Sequence, residues 1–310
     1  MVSAETPIRI GIPRSILHYE FGGAIAGFVE RLGRTAVLSP ETNDDIFRRG
    51  KRLVIDELCF PIKAFVGHVA ALAETDVDRI FVPVVTSHES GRVFPCHPRT
   101  RLADIVRALR VCDAGRLLTP AVTFDANGLT RDGFLSVGRA LGASDEEIGR
   151  ALPAPTRAAR ATEAAIVGDD RPVIGIIGHP YLVADPWMNG SLVDRLEDLG
   201  CASLTGTDIG IPLSPDGTGL HFELAAHTLV AGRRLDGMQA VDGIVFLLAF
   251  NCGPDGDIAG HLARTIRKPL LTLVLDELQS PAGMLTRIEA FVDLIDRTSA
   301  SRVAATGGCT

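Results

Sequence analysis

Apolar residues in this chain fall into short compact runs separated by longer stretches in which they recur every three or four positions. The first run, Ile8 to Ile12, stops at Pro13-Arg14 and predicts a strand. Leu17, Phe21, Ile25, Phe28 and Leu32 follow at i, i+4, i+8, i+11 and i+15, one stripe of a helix that Gly33 closes. Thr35 to Leu38 reads as a second strand ending at Ser39-Pro40, and Asn43 as the cap of a short helix reaching Arg49. Pro61 sits where a helix tolerates proline, and Ile62, Phe65, Val66, Val69 and Leu72 or Ala73 line the buried face of the helix it opens. Arg79 to Val85 is expected as one further strand, running into a polar loop that ends near Pro98, before a helix from Leu102 to Leu109.

Gly128 to Gly142 and Asp145 to Val167 read as a helical connector interrupted by Pro153 and Pro155. The strand pattern then restarts at Pro172-Val-Ile-Gly-Ile-Ile-Gly-His-Pro. A helix over Asp185 to Leu199, a short strand at Ala202 to Leu204 and a helix over Leu220 to Leu235 are expected next. Ile244 to Phe250 is continuously apolar, as in a strand buried on both faces, and it breaks off at Asn251-Cys-Gly-Pro-Asp ahead of a helix from Ile258 to Ile266. Pro269 to Leu275 gives a last strand, Met284 to Ile295 a closing amphipathic helix, and Ser299 to Thr310 a loose tail. Strands alternating with helices define an α/β protein. The expected architecture is two Rossmann-like domains with mostly parallel sheets flanked by helices, over residues 1–165 with the helical connector and residues 166–310.

Composition narrows the function classes. A net charge of −7 without a Lys/Arg cluster argues against nucleic acid as a partner. No apolar run approaches the roughly 18 residues that cross a bilayer, and the first residues lack a signal-peptide pattern, so a cytoplasmic protein is expected. Neither G-x-x-x-x-G-K-[ST] nor a full G-x-G-x-x-G occurs, which leaves the sequence without a phosphate-cradling fingerprint.

Six cysteines remain, Cys59, Cys96, Cys112, Cys201, Cys252 and Cys309, with no Cys-x-x-Cys among them. In a reducing compartment each is a packing residue, a metal ligand or a reactive thiol. Cys59 precedes a helix, Cys96 lies in the loop after a strand, and Cys252 ends a strand and precedes a helix. All three are expected toward the carboxyl edges of the sheets, where α/β proteins bind ligands. Thiolates suit zinc or an iron–sulfur cluster, and a helix N-terminus favours the anionic form. Lys63, one turn after Cys59, offers countercharge; His97 beside Cys96 and His179 at the end of the restarted strand offer imidazoles. Asp276-Glu277 closes the last strand as either a site feature or a plain turn. Cys112, Cys201 and Cys309 lack any such setting and read as structural or incidental.

Several segments in order resemble one family: Ile10-Gly-Ile-Pro-Arg, Glu57-Leu-Cys-Phe-Pro-Ile-Lys with Gly67-His-Val, Ile80-Phe-Val-Pro, Gly178-His-Pro-Tyr, Asn251-Cys-Gly-Pro-Asp, Asp276-Glu and Gly283-Met-Leu-Thr-Arg-Ile-Glu-Ala-Phe-Val-Asp. Together they are similar to the acyl-CoA dehydratase activase-related proteins, kin to the iron–sulfur subunits of 2-hydroxyacyl-CoA dehydratases and benzoyl-CoA reductases. The resemblance spans residues 8 to 297. It implies a [4Fe–4S] cluster held by Cys59, Cys96 and Cys252, or a larger cluster shared in a homodimer, with low-potential electrons supplied by a separate ATPase activator. The chain departs from the family pattern at Leu278, where Asp-Glu-His is usual, and at Phe94-Pro-Cys-His-Pro, where Cys-Pro-Lys is usual. Two other expectations stand beside this one. The chain is a non-enzymatic module binding a dehydratase or activator, or a zinc-thiolate protein using the same cysteines with His97.

Overall fold

A computed structural model describes residues 7–88, 94–125, 128–154, 171–212, 218–278 and 280–306. The chain forms two compact units. The first takes in Met1–Arg157 and Leu220–Glu223; the second takes in Ala158–Gly219 and Leu224–Thr310. The helical expectation up to Val167 and Cys309 both reach outside the described residues.

The first unit is built on a four-stranded parallel sheet of order β2-β1-β3-β5, from β1 (Arg9–Ile12), β2 (Thr35–Leu38), β3 (Arg79–Phe81) and β5 (Leu117–Leu118). The strand expected over Arg79 to Val85 is two strands, because Pro83 has no N–H to give the ladder. The chain passes from β3 into β4 (Val84–His88), which pairs with β6 (Ala121–Asp125) in a second sheet completed by β7 (Gly128–Leu129). Pro120 breaks the neighbouring chain at the same level, and the ladder is bridged by Val82 N–H to Leu118 O and Val84 N–H to Pro120 O, each 2.9 Å. A π-helix over His18–Gly22 leads into α1 (Gly23–Arg31), whose Ile25, Phe28 and Val29 are fully buried.

Asn43 caps α2 (Asp44–Leu53), its Oδ1 accepting from Asp45 N and Ile46 N at 3.0 Å. Against it packs α3 (Phe60–Ala73). The two helices touch backbone to backbone at Gly50 and Gly67, where a Cβ would collide with the carbonyl oxygens of Lys63 and Ile46 respectively. The residues after α3 return to the start of the sheet, with Asp78 Oδ2 accepting from Arg9 N at 2.7 Å. Midway along α3, His68 lies between Ser39 Oγ at 2.8 Å and Thr42 Oγ1 at 3.0 Å, just past the carboxyl end of β2. The N-terminus of α3 therefore rises beyond the carboxyl edge of the sheet, carrying Cys59 with it. Next come α4 (His97–Thr100), α5 (Leu102–Ala108), α6 (Arg131–Ala140) and α7 (Asp145–Ala151), the last with a Ser144–Glu147 capping box.

Two buried groups give the first unit opposed responses to pH. Burial, with His18 and Arg14 adding to it, lowers His68 to about 3. The unfolded chain then takes up the proton first, so this contribution is lost as pH falls from about 6.5 toward 3. Burial raises Glu223 to about 7, opposed by Arg99 and reinforced by Glu20. Its contribution is present below the unfolded value and lost as pH rises through 7. The two contributions therefore run in opposite directions between pH 5 and 7. Glu223→Gln is expected to leave the acid-labile slope and His68→Gln the opposite one. Urea midpoints at pH 5 and 7, followed by hydrogen exchange in α3 peptides, check this; parallel pH profiles in the two variants would refute it.

The second unit holds a parallel sheet of order β11-β10-β8-β9, from β8 (Val173–Gly178), β9 (Ala202–Thr205), β10 (Gly243–Ala249) and β11 (Leu270–Leu275). Ile244, Val245, Phe246 and Leu247 of β10 have no exposed surface, as its unbroken apolar run requires. The helix expected over Asp185 to Leu199 is shorter. The chain makes α8 (Pro180–Ala184), then a turn in which Asp185 Oδ1 accepts from Trp187 N and Met188 N, then α9 (Leu192–Asp198). Ser191, at φ 56°, is left-handed and cannot belong to a continuous helix. The remaining helices are α10 (Glu223–Gly237), α11 (Gly253–Thr265) and α12 (Pro281–Thr306), the last running on into the stretch expected as a loose tail. No helix among the described residues is long and apolar enough to cross a membrane.

Candidate metal and thiol site

In each main sheet the strand order reverses direction once, and the crevice for a ligand lies outside the carboxyl ends of the strands flanking that point. In the second unit those strands are β8 and β10. The residue after β8 is His179, which caps α8 with Pro180 behind it. After β10 the chain turns through Asn251, left-handed at φ 63°, and places Cys252 as the cap of α11. Asp255 follows in the first turn of that helix, fully buried.

The fold gathers these three side chains. One donor atom from each of His179, Cys252 and Asp255 lies within 4.8 Å of the others. His179 Nε2 is 2.8 Å from Asp255 Oδ1, close enough for an ion pair. The contact lacks the alignment of a directed hydrogen bond, and neither Asp255 oxygen has such a bond among the described residues. His179 Nδ1 meets Tyr181 Oη at 2.5 Å, which fixes the ring from its far side. His227, also in this unit, donates Nδ1–H to Pro212 O at 2.9 Å. Burial holds His227 below the ordinary histidine range, the Pro212 bond opposing and His179 adding to the shift.

The other expected site residues fall as follows. Cys59 caps α3 and Cys96 caps α4, both half-buried and both in the first unit. Lys63 is buried inside α3, and His97 is exposed as the first residue of α4. Asp276 accepts from Leu278 N at 2.7 Å, the local bond of a turn, and with half-buried Glu277 stands outside the His179 group. Cys112 and Cys201 differ in kind: burial pushes both thiols up, away from the reactive thiolate.

Reading residue by residue overlooked one regularity. Cys59, Cys96 and Cys252 are each followed two residues later by proline, and no other cysteine is. In all three the cysteine is the extended cap residue, the proline lies in the first helical turn, and the thiol makes no capping bond. Asp255 was also missed, although an acidic residue three places after Cys252 is visible in the sequence. A buried ion cluster was not legible at all. Arg99, 1% exposed, pairs with Glu20 Oε2 at 2.6 Å and with Glu223 Oε1. Phe94 and Phe222 bridge beside it, which draws Leu220–Glu223 into the first unit.

Fold and site define a two-unit α/β protein with thiols presented at helix N-termini. The chain belongs to the family described as "CoA enzyme activase uncharacterised domain", whose pattern it matches over residues 9–209. No curated protein matches the sequence. Among solved structures, glutamate racemase from Francisella tularensis subsp. tularensis SCHU S4 in complex with D-glutamate is similar at 9% identity, over 94% of this chain and 82% of that chain. Its TM-score of 0.23 is too low to carry an argument.

Proposed function

We propose that this chain is a component of a CoA-enzyme activation system that holds an iron–sulfur cluster through Cys59, Cys96 and Cys252 and receives electrons from a separate ATPase activator. The observation that carries this reading is the shared Cys-x-Pro cap. Proline in the first turn removes an N–H that would have no helical partner, and fixes the backbone that aims the thiol. At the longer helices α3 and α11, the N–H groups of the first turn favour the thiolate, the form in which a cysteine ligates a metal. When bound, a cluster of this kind supplies single electrons at low potential. Lys63, four residues after Cys59 and buried, adds positive charge on the same helix. His97, Asp276 and Glu277 remain candidates for the surroundings of the site, and a larger cluster shared between two copies is the dimeric form of the same proposal.

The test is anaerobic purification with iron, zinc and acid-labile sulfide quantified and an EPR spectrum taken after reduction. Wild type and the Cys112→Ala/Cys201→Ala protein are expected to carry iron and sulfide, and Cys252→Ala to lose at least about 90% of both. Metal-free wild type, zinc without sulfide, or iron unaffected by Cys252→Ala would each reject the proposal.

A further inference from the structure

Asp255 presents an unusual combination for a carboxylate. It is fully buried, yet neither oxygen accepts a directed hydrogen bond among the described residues. A buried carboxylate left in that state is costly unless a cation completes it. The nearest candidates to share such a cation are already in place, His179 Nε2 at 2.8 Å and the sulfur of Cys252 within the same 4.8 Å group. We infer that His179, Cys252 and Asp255 form a single-ion site in the second unit for a zinc-class divalent cation. This goes beyond the cluster reading, because it needs no residue of the first unit.

Three features of the site fit one ion. Zinc takes imidazole nitrogen, thiolate sulfur and carboxylate oxygen at about 2.0–2.3 Å, and a tetrahedral arrangement then spaces neighbouring donors by about 3.3–3.8 Å. The three donor atoms lie within 4.8 Å of one another, with His179 Nε2 and Asp255 Oδ1 at 2.8 Å, so taking up an ion would open that contact. Second, the far side of the imidazole is held by Tyr181 Oη. With Nδ1–H donated there, Nε2 turns a lone pair toward the site, the arrangement by which a second partner orients a histidine ligand. Third, Cys252 caps the thirteen-residue α11, whose first N–H groups favour the thiolate.

The rival reading of the same residues is a Cys–His–Asp nucleophile. In that relay one ring nitrogen must serve the thiol and the other the carboxylate. Here Nε2 faces Asp255 and Nδ1 faces Tyr181, so the ring is set between two oxygens. Three protein ligands leave the fourth position of a tetrahedral ion to water or another small donor.

Cysteine 252 cannot serve one ion and a cluster at the same time, so the single-ion state is the one adopted when no cluster is assembled. The test uses the full chain, stripped with chelator under anaerobic conditions and titrated with cobalt(II), then with competing zinc. A single cobalt per chain with thiolate-to-cobalt charge-transfer absorption is expected, displaced by zinc. Cys252→Ser should abolish the absorption, and His179→Ala and Asp255→Asn should each weaken binding at least about tenfold. The Cys59→Ser/Cys96→Ser protein, which lacks two thiols of the proposed cluster, should bind cobalt as wild type does. Loss of the signal in that protein, indifference to His179→Ala and Asp255→Asn, or no cobalt binding would overturn the inference. Iron and sulfide in anaerobic wild type bear on the cluster proposal alone, so the two can fail separately.

Discussion

Arg99→Met is expected to destabilise the first unit by about 3–5 kcal/mol, the cost of removing one member of a buried ion cluster and leaving the others uncompensated. Arg99, Glu20 and Glu223 have side chains only 1–2% exposed, so solvent cannot take over the lost partner. Glu20 Oε1 and Glu223 Oε2 already lack hydrogen bonds among the described residues, and removing the guanidinium would strand both carboxylates. The cluster ties together the π-helix after β1, the helix capped by Cys96, and the Leu220–Glu223 segment. Amide exchange in β1 and α4 should rise accordingly. Replacing all three residues together by apolar ones of similar size should recover most of the loss, since buried ion clusters contribute little net stability over well-packed apolar groups. A single Arg99→Met protein within about 1 kcal/mol of wild type would show that water reaches the cluster.

Gly67→Ala is expected to cost about 3 kcal/mol or more, at the top of the range for overpacking. The added methyl would meet the carbonyl oxygen of Ile46, which is backbone and cannot rotate away. Relief requires α2 and α3 to separate, which would loosen the Phe47–Phe60 contact at 5.1 Å. Gly50→Ala should behave alike, against the carbonyl of Lys63. Gly23→Ala and Gly149→Ala, with nothing near the added carbon, serve as controls expected within about 0.5 kcal/mol of wild type or slightly stabilised. Urea unfolding followed by exchange in α3 peptides would measure all four, and equal effects at Gly67 and Gly149 would contradict the close approach. Because Cys59 caps α3, separation of the helices is also expected to reduce iron retention under the cluster proposal.

Much of the fold was legible because periodicity records burial. The run Ile244 to Phe250 announced a strand covered on both faces, realised over Gly243–Ala249 with Phe250 turned out and exposed, and the stripe from Leu17 to Leu32 announced a helix, although its first turn is π-wound. Errors came where a local feature overrode the pattern. Pro83 divided a strand without interrupting its apolar character, and the Asp185 turn with left-handed Ser191 divided a helix. Neither the strands at 117–125 nor the Arg99 cluster was anticipated, since short strands carry little periodic signal and charged residues read as surface.

The sequence by itself determined the strand-to-helix turns and the helix starts after Cys59 and Cys252, because proline placement and helix capping are local interactions of neighbouring residues; the short helix capped by Cys96 was read as loop. Only the tertiary structure decided that His179 and Asp255, 76 residues apart in the chain, meet beside Cys252. That meeting follows from the parallel pairing of β8 with β10, which brings two distant strand ends to one edge of the sheet. Pairing of that kind depends on the registry of strands far apart in the chain, and no window of residues along the sequence contains it.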